Sequence, residues 1–423
     1  MNRRSFLKSS FAAAALAGTG GVSAEDGKPS VSGTGVAKPP APSRNRRPYA
    51  GLDWSKCEQV PTASHGHCTC QAHLDIYLEH GYRFLTISNY YPSAPTVPGK
   101  TFKAGHYRAH HDFPVMVNGV RTEGPFDWNE ILKPWKDEID PKYRGQYPFK
   151  EGKPMFPNWP DGMLEAPNAE HHSFLLDNGK SAGALHICAP GSAYASGTFD
   201  AHDYFKSSSH GYCFGSGENW RTAVDRMIAG LIDPEGGGVT INHPNWSGLK
   251  REFMLTMLDH DPRVLGCEVL KTNADQLDPY WDWALATGRQ CFGFCVPDWA
   301  VVRKPKNFGA NILIVPEFNV HECLKAYRLG NFYCSLHSLG ELKFTGIAFD
   351  GKTVTASADK PAKFQVITAR GVVYETTGTE LKWDVPPYKG MGTGARSHVY
   401  ARVKAFATDG SGEIIFTQPF MLI

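Results

Sequence analysis

The chain has 423 residues, 44 Lys and Arg against 42 Asp and Glu, and a net charge of +2. That balance argues against general nucleic-acid binding, which needs a concentrated basic surface. The ten cysteines are irregularly spaced in a large chain, which does not read as a disulfide framework.

The first residues read as an address. Arg3 and Arg4 stand in N-R-R-S-F-L-K, an apolar run follows from Phe11 to Ala17, and small residues lead to V-S-A at Ala24. These are a basic region, an apolar region and a cleavage site in order. Paired arginines followed by Phe6, Leu7 and Lys8 resemble a twin-arginine (Tat) export signal. Residues 1–24 are therefore expected to engage the Tat machinery, giving a periplasmic or secreted protein. The apolar run is short of the roughly 20 residues a bilayer span takes, so no stable membrane insertion is expected. Residues 25–50, rich in Gly, Pro, Ser, Lys and Arg, lack apolar periodicity and read as a disordered linker.

From residue 51 the composition is globular. Leu74 to His80 is helical and closed by Gly81, and Arg83 to Ser88 reads as a buried strand. Gly99 to Asp161, rich in Pro, Trp and Tyr, reads as a long insertion. Ala184 to Cys188 is a short apolar run. Asn219 to Gly230 is an amphipathic helix, followed by a strand at Gly237 to Asn242 and a helix at Phe253 to Leu258. Val264 to Leu270 is a strand, Tyr280 to Thr287 a helix stopped by Gly288, and Gln290 to Val296 a strand. Helices alternating with apolar strands predict parallel βαβ units, which present functional residues at strand ends. From Glu341 strands follow one another across turns at F-D-G-K, A-R-G-V and T-D-G-S-G, predicting a small, sandwich-like all-β domain.

The chemistry-bearing residues lie between. S-H-G-H-C-T-C-Q-A-H begins at Ser64. An H-x-H on extended backbone puts His65 and His67 on one side, because side chains alternate with period two. His73 follows six residues later. Downstream come E-A-P-N-A-E-H-H from Glu165, I-N-H-P with His243, and V-P-D-W-A with Asp298. Imidazole and carboxylate donors together suit Zn, Mn or Fe.

In this order the motifs resemble the PHP (polymerase and histidinol phosphatase) superfamily, from about Ser64 to Ser335. H-x-H-x5-H matches His65, His67 and His73. Glu165 fits the family's bridging Glu, with Glu170 as the alternate. His172 fits its next His, with His171 as the alternate. V-T-I-N-H-P matches the strand ending in His-Pro, V-L-G-C-E the strand bearing Glu268, and Asp298 the closing Asp-x-His. Two positions depart: Asn89 and Tyr90 stand where the family has Asp and His, and Ala300 where it has the last His. Both losses fall on the metal that His73 serves.

The resemblance implies a distorted (β/α)7-type PHP barrel over 51–340, followed by the all-β segment 341–423. It implies two divalent ions: one on His65, His67, Glu165 and Asp298, the other on Glu165, His172 and His243. Such a pair generates hydroxide from water and polarises the group under attack. A phosphoester is the first expectation for the small-molecule substrate, with other esters or amides next. Tyr90 is a candidate hydrogen-bond donor or acid, and Lys271 and Arg303 are candidate phosphate partners. No G-x-S-x-G elbow or P-loop sequence supports a serine hydrolase or nucleotide triphosphatase. A reading from another class, resting on Asn89, Tyr90 and Ala300, is a non-catalytic exported protein that binds carbohydrate or cell-wall material.

Overall fold

The computed structural model describes residues 46–68, 71–88, 116–117, 120–121, 156, 158–171, 174–180, 182, 185–192, 219–269, 279–298, 309–336, 340–387 and 398–422. Strand β1 (Glu58–Thr62) precedes the H-x-H segment and helix α1 (Gln71–Glu79) follows it. Next come β2 (Phe84–Leu85), the small antiparallel pair β3 (Met116–Val117) and β4 (Val120–Arg121), then β5 (Leu164–Glu165), β6 (Glu170–His171) and β7 (Ile187–Cys188). Helix α2 (Trp220–Ala229) leads to β8 (Val239–Ile241), the one-turn helix α3 (Pro244–Ser247), α4 (Arg251–His260) and β9 (Val264–Glu268). Helix α5 (Pro279–Ala286), β10 (Phe292–Phe294), β11 (Gly309–Val315), α6 (Val320–Leu329) and β12 (Phe332–Leu336) follow. The remainder is strand after strand: β13 (Phe344–Phe349), β14 (Thr353–Thr368), β15 (Gly371–Asp384), β16 (Tyr400–Ala407), β17 (Ile414–Phe416) and β18 (Phe420–Met421).

Local sequence accounts for these elements. In α2, Trp220, Ala223, Val224, Met227 and Ile228 repeat at helical spacing and are all buried. Its first turn is capped by Asn219, whose side chain accepts from the Arg221 N–H at 2.9 Å. Helix α6 starts on Asn319, which caps the Glu322 N–H, and stops at Gly330, whose φ of 76° suits glycine. Strands β8, β9 and β11 are buried along their whole length, as their mainly apolar sequences favour, and each also buries one polar residue: Thr240, Glu268 and Asn311.

The strands form two principal sheets. One runs β10-β9-β8-β7-β6. It is parallel from β10 to β8 and antiparallel where β7 meets β8 and β6. The other has nine strands, in the order β1-β11-β12-β17-β16-β14-β13, with β15 on β14 and β18 on β16. β2 and β5 pair in parallel separately.

The molecule is thus mixed α/β with a strand-rich C-terminal part, and these pairings do not establish the expected (β/α)7 barrel. One reason lies between β6 and β7. There Ala182 donates to the Phe174 carbonyl at 2.8 Å and Leu176 to that of Lys180 at 2.7 Å, closing a tight turn at Asp177-Asn178-Gly179. A turn of that kind returns the chain antiparallel, whereas a parallel return needs a crossover of a dozen residues or more.

The boundary expected at 340 is crossed by backbone pairing: Cys334 of β12 sits opposite Phe416 of β17. Side chains tie the same parts together. The Arg402 guanidinium on β16 donates twice to Asp282 on α5, at 2.9 and 2.7 Å, and the Tyr400 hydroxyl donates once at 2.8 Å. The segment expected to remain linker up to residue 50 is anchored before that point. Arg46 exchanges hydrogen bonds with Gln290, and the buried Tyr49 donates its N–H to Asn331. Among the described residues no helix is long and apolar enough to cross a membrane.

Candidate metal centre

Backbone pairing brings the motifs into one place. Gly66, between the two histidines, forms a parallel bridge with Asp298. His67 donates its N–H to the Asp298 carbonyl and Asp298 donates to that of His65. On the other side Ser88 donates to the Gly66 carbonyl, and Glu170 donates to that of Ser88. The carboxamide of Asn168 donates to the Ser64 and Thr86 carbonyls and accepts from the Ala169 and Ala189 N–H groups. One buried side chain therefore holds three neighbouring segments in register.

Four donor groups converge. Nε2 of His65 lies 3.2 Å from Nε2 of His67. Oε2 of Glu170 is 3.3 Å from the first and 3.1 Å from the second. Oδ1 of Asp298 is 3.3 Å from both. A tetrahedral ion with bonds of about 2.0–2.1 Å spaces its ligand atoms about 3.3–3.4 Å apart, so the set fits one divalent cation. His65, His67 and Glu170 are buried, while the Asp298 side chain keeps 34% of its surface and marks the open side.

A second group shares Glu170. Its Oε1 is 3.4 Å from Nδ1 of His186 and 3.4 Å from Nε2 of His243. The Asn242 amide donates to the same oxygen at 3.3 Å. Glu170 thus presents one oxygen to each group. The second group has three protein donors and partly exposed histidines, the composition of a site with an open coordination position.

Glu268 supports both groups. Its Oε1 lies 2.7 Å from Nδ1 of His65, and its Oε2 accepts the backbone N–H of His243 at 2.9 Å. A carboxylate on Nδ1 fixes the proton there and leaves Nε2 as the free donor, the usual support of a metal-ligating histidine.

The backbone is strained at the same place. Among the described residues, three other than glycine have positive φ, and two of them are His243 at 25° and Asp298 at 47°. Such conformations persist where surrounding contacts over-determine them.

Protonation follows from the crowding of acids. Burial pushes His65 down, but Cys188, Glu170, Glu268 and Asp298 more than offset it and hold the imidazole well above its ordinary value. Burial likewise lowers His243, and Glu170, Glu268 and Asp298 reverse it. Burial raises the Asp298 carboxyl, but the charges of His65 and His67 outweigh it and hold it at about 2. A cation entering here displaces protons, so its affinity falls with falling pH.

The predicted residues divide as follows. His65, His67, His243 and Asp298 are brought together. Glu165 is half-buried on β5 and is not one of the donors gathered here; its alternate, Glu170, holds the bridging place. Since neighbouring strand residues face opposite ways, Glu170 turned inward sends His171 to the other face of β6. His73 is buried on α1 outside both donor groups, and burial with the charge of His67 pulls its pKa down to about 4. His172, Tyr90, Lys271 and Arg303, and with them Asn89 and Ala300, lie outside the described residues. His186 was not foreseen. It sits one residue before β7 in the apolar run A-L-H-I-C, where a single histidine gives no motif.

No family model and no curated protein matches this chain. A solved structure, a two-domain protein containing a predicted PHP-like metal-dependent phosphoesterase from Bacteroides vulgatus, is similar at 11% identity and a TM-score of 0.37. The alignment covers 90% of this chain and 100% of that one. A likeness of that size establishes neither a shared fold nor a shared activity.

Proposed function

We propose that this protein is a metal-dependent hydrolase of phosphoesters. The observation that carries the reading is the spacing of the donor set: five separations of 3.1–3.3 Å among His65, His67, Glu170 and Asp298. Imidazole and carboxylate donors suit Zn, Mn or Fe, and Glu170, facing both groups, supports a pair of ions. Bound divalent ions supply Lewis acidity, lowering the pKa of coordinated water and polarising an ester oxygen.

The chain's own residues do the rest. Glu268 keeps the proton of His65 on Nδ1. Asn242 orients the Glu170 carboxylate. Asp298, at the exposed rim, stands where a substrate enters. His186 and His243, partly exposed, border the side on which a substrate oxygen can approach.

The circuit of backbone hydrogen bonds linking the segments around Gly66, Ser88 and Glu170, then β7 to β10, and back through Asp298 supports a distorted PHP-type barrel. The N-terminal N-R-R-S-F-L-K and V-S-A sequences support Tat export to the periplasm or beyond. The decisive experiment is elemental analysis of the purified protein together with a screen of phosphate mono- and diesters. The proposal expects about two transition metals per chain and turnover that a chelator abolishes. Metal-free protein that is inactive after loading with Zn, Mn or Fe overturns it. Retained metal without turnover favours the binding-protein reading instead.

A further inference from the structure

Trp246 stands out beside the second donor group. It is one of the few large apolar side chains exposed among the described residues, with 54% of its surface open. Its ring centroid lies 4.9 Å from that of His243, at an interplanar angle of 79°, and 6.3 Å from that of His186. Those two histidines are the ones that share Oε1 of Glu170. An indole here touches the metal-site histidines on one side and leaves about half its surface to solvent.

The helix carrying it is held firmly. α3 begins on Pro244 and ends at Gly248, whose φ of 72° closes the turn. Leu249 donates its N–H to the Pro244 carbonyl at 2.9 Å, and Ser247 donates its own to that of His243 at 3.1 Å. The Tyr280 hydroxyl bonds to the Leu249 carbonyl and fixes the exit. Trp246 therefore projects from a braced turn that begins directly after His243, which has a positive φ of 25°.

An exposed indole costs solubility and adds nothing to the core, so its placement beside the open donor group points to a ligand. Ring faces favour stacked or edge-on aromatic partners and the apolar faces of planar groups. We infer that Trp246 is a specificity-determining residue which packs against the organic part of the substrate, and that the preferred esters carry a planar ring next to the ester oxygen. The inference rests on the metal-dependent reading above and names the substrate class for the same site.

The test compares phenylphosphonate with methylphosphonate, both non-hydrolysable, binding to zinc-loaded full-length protein by calorimetry, with indole fluorescence as a second readout. The wild type is expected to prefer the phenyl compound about tenfold. Trp246→Ala should bring the phenyl-to-methyl ratio close to one, and Trp246→Phe should keep most of the preference. A wild type that does not discriminate, or a Trp246→Ala variant that keeps the ratio, overturns the inference while leaving the metal reading intact. Failure of zinc-loaded wild type to bind either phosphonate overturns both.

Discussion

Glu268 offers the sharpest test of how the donor set is organised, because it acts by positioning other groups. Its two oxygens serve two donors at once, the His65 ring at 2.7 Å and the His243 backbone N–H at 2.9 Å. Glu268→Gln keeps the shape but can accept with one end only. The amide end must then face either the His65 Nδ1–H or the His243 N–H, donor against donor. The first choice releases the His65 tautomer, and the second disturbs a residue already at a φ of 25°. Loss of such supporting partners typically costs 10–100-fold in metal affinity, or about 1.4–2.8 kcal/mol. Zinc affinity, measured by competition with a chromophoric chelator at pH 7.5 (roughly neutral), should fall by that factor. A urea melt of the metal-free protein separates this from general unfolding. Affinity within about twofold of wild type would show that the carboxylate does not position His65, and the argument for an organised centre would fail.

Three further outcomes follow from the same geometry. His186→Ala should lower zinc stoichiometry by about one ion while the His65, His67, Glu170 and Asp298 set keeps the other, read by elemental analysis; unchanged stoichiometry would exclude His186 as a ligand. Gly66→Ala places a methyl group against the buried Tyr77 hydroxyl and 3.2 Å from its ring carbon, so stability should fall by about 1–3 kcal/mol in urea denaturation, with partial rescue by Tyr77→Phe. Glu413 is buried against Ser335 and Leu342, and burial, aided by Glu341, raises its carboxyl from 4.5 to about 7. The folded state therefore holds the proton more tightly. Its contribution is fully present below about pH 4.5 and is lost as pH rises to about 7, on the order of 2 kcal/mol once solvent screening is allowed for. Glu413→Gln, followed by thermal melts between pH 5 and 8 (roughly the window of loss), should flatten that decline; an unchanged slope would clear Glu413 of responsibility.

Much of the centre was legible because its chemistry is local. H-x-H needs only extended backbone to act together, and His243 and Asp298 advertise themselves by following apolar strands. Where two acids stand five residues apart, the motif favours Glu165 and the structure gathers Glu170 instead, because the outcome depends on which segment pairs with Ser88. His186 was invisible for the opposite reason: one imidazole in an apolar run looks like packing until Glu170 is seen opposite. The helices of the middle region were readable from 3.6-residue periodicity and Gly caps, as at Asn219 to Gly230. The antiparallel turn at Asp177–Gly179 departs from the repeated parallel unit that the alternation of helices and strands implies. Pairing of β12 with β17 joins residues some eighty positions apart, which no local window detects.

That long reach also sets the order in which the molecule can assemble. Strand β1 waits for β11, roughly 250 residues later, and β12 waits for β17 near the end of the chain. Both pairings close long loops, so they are expected to form later than the local helices and turns. Deleting the last strands would expose the raw backbone edge of β12, inviting intermolecular zippering rather than yielding a smaller folded protein.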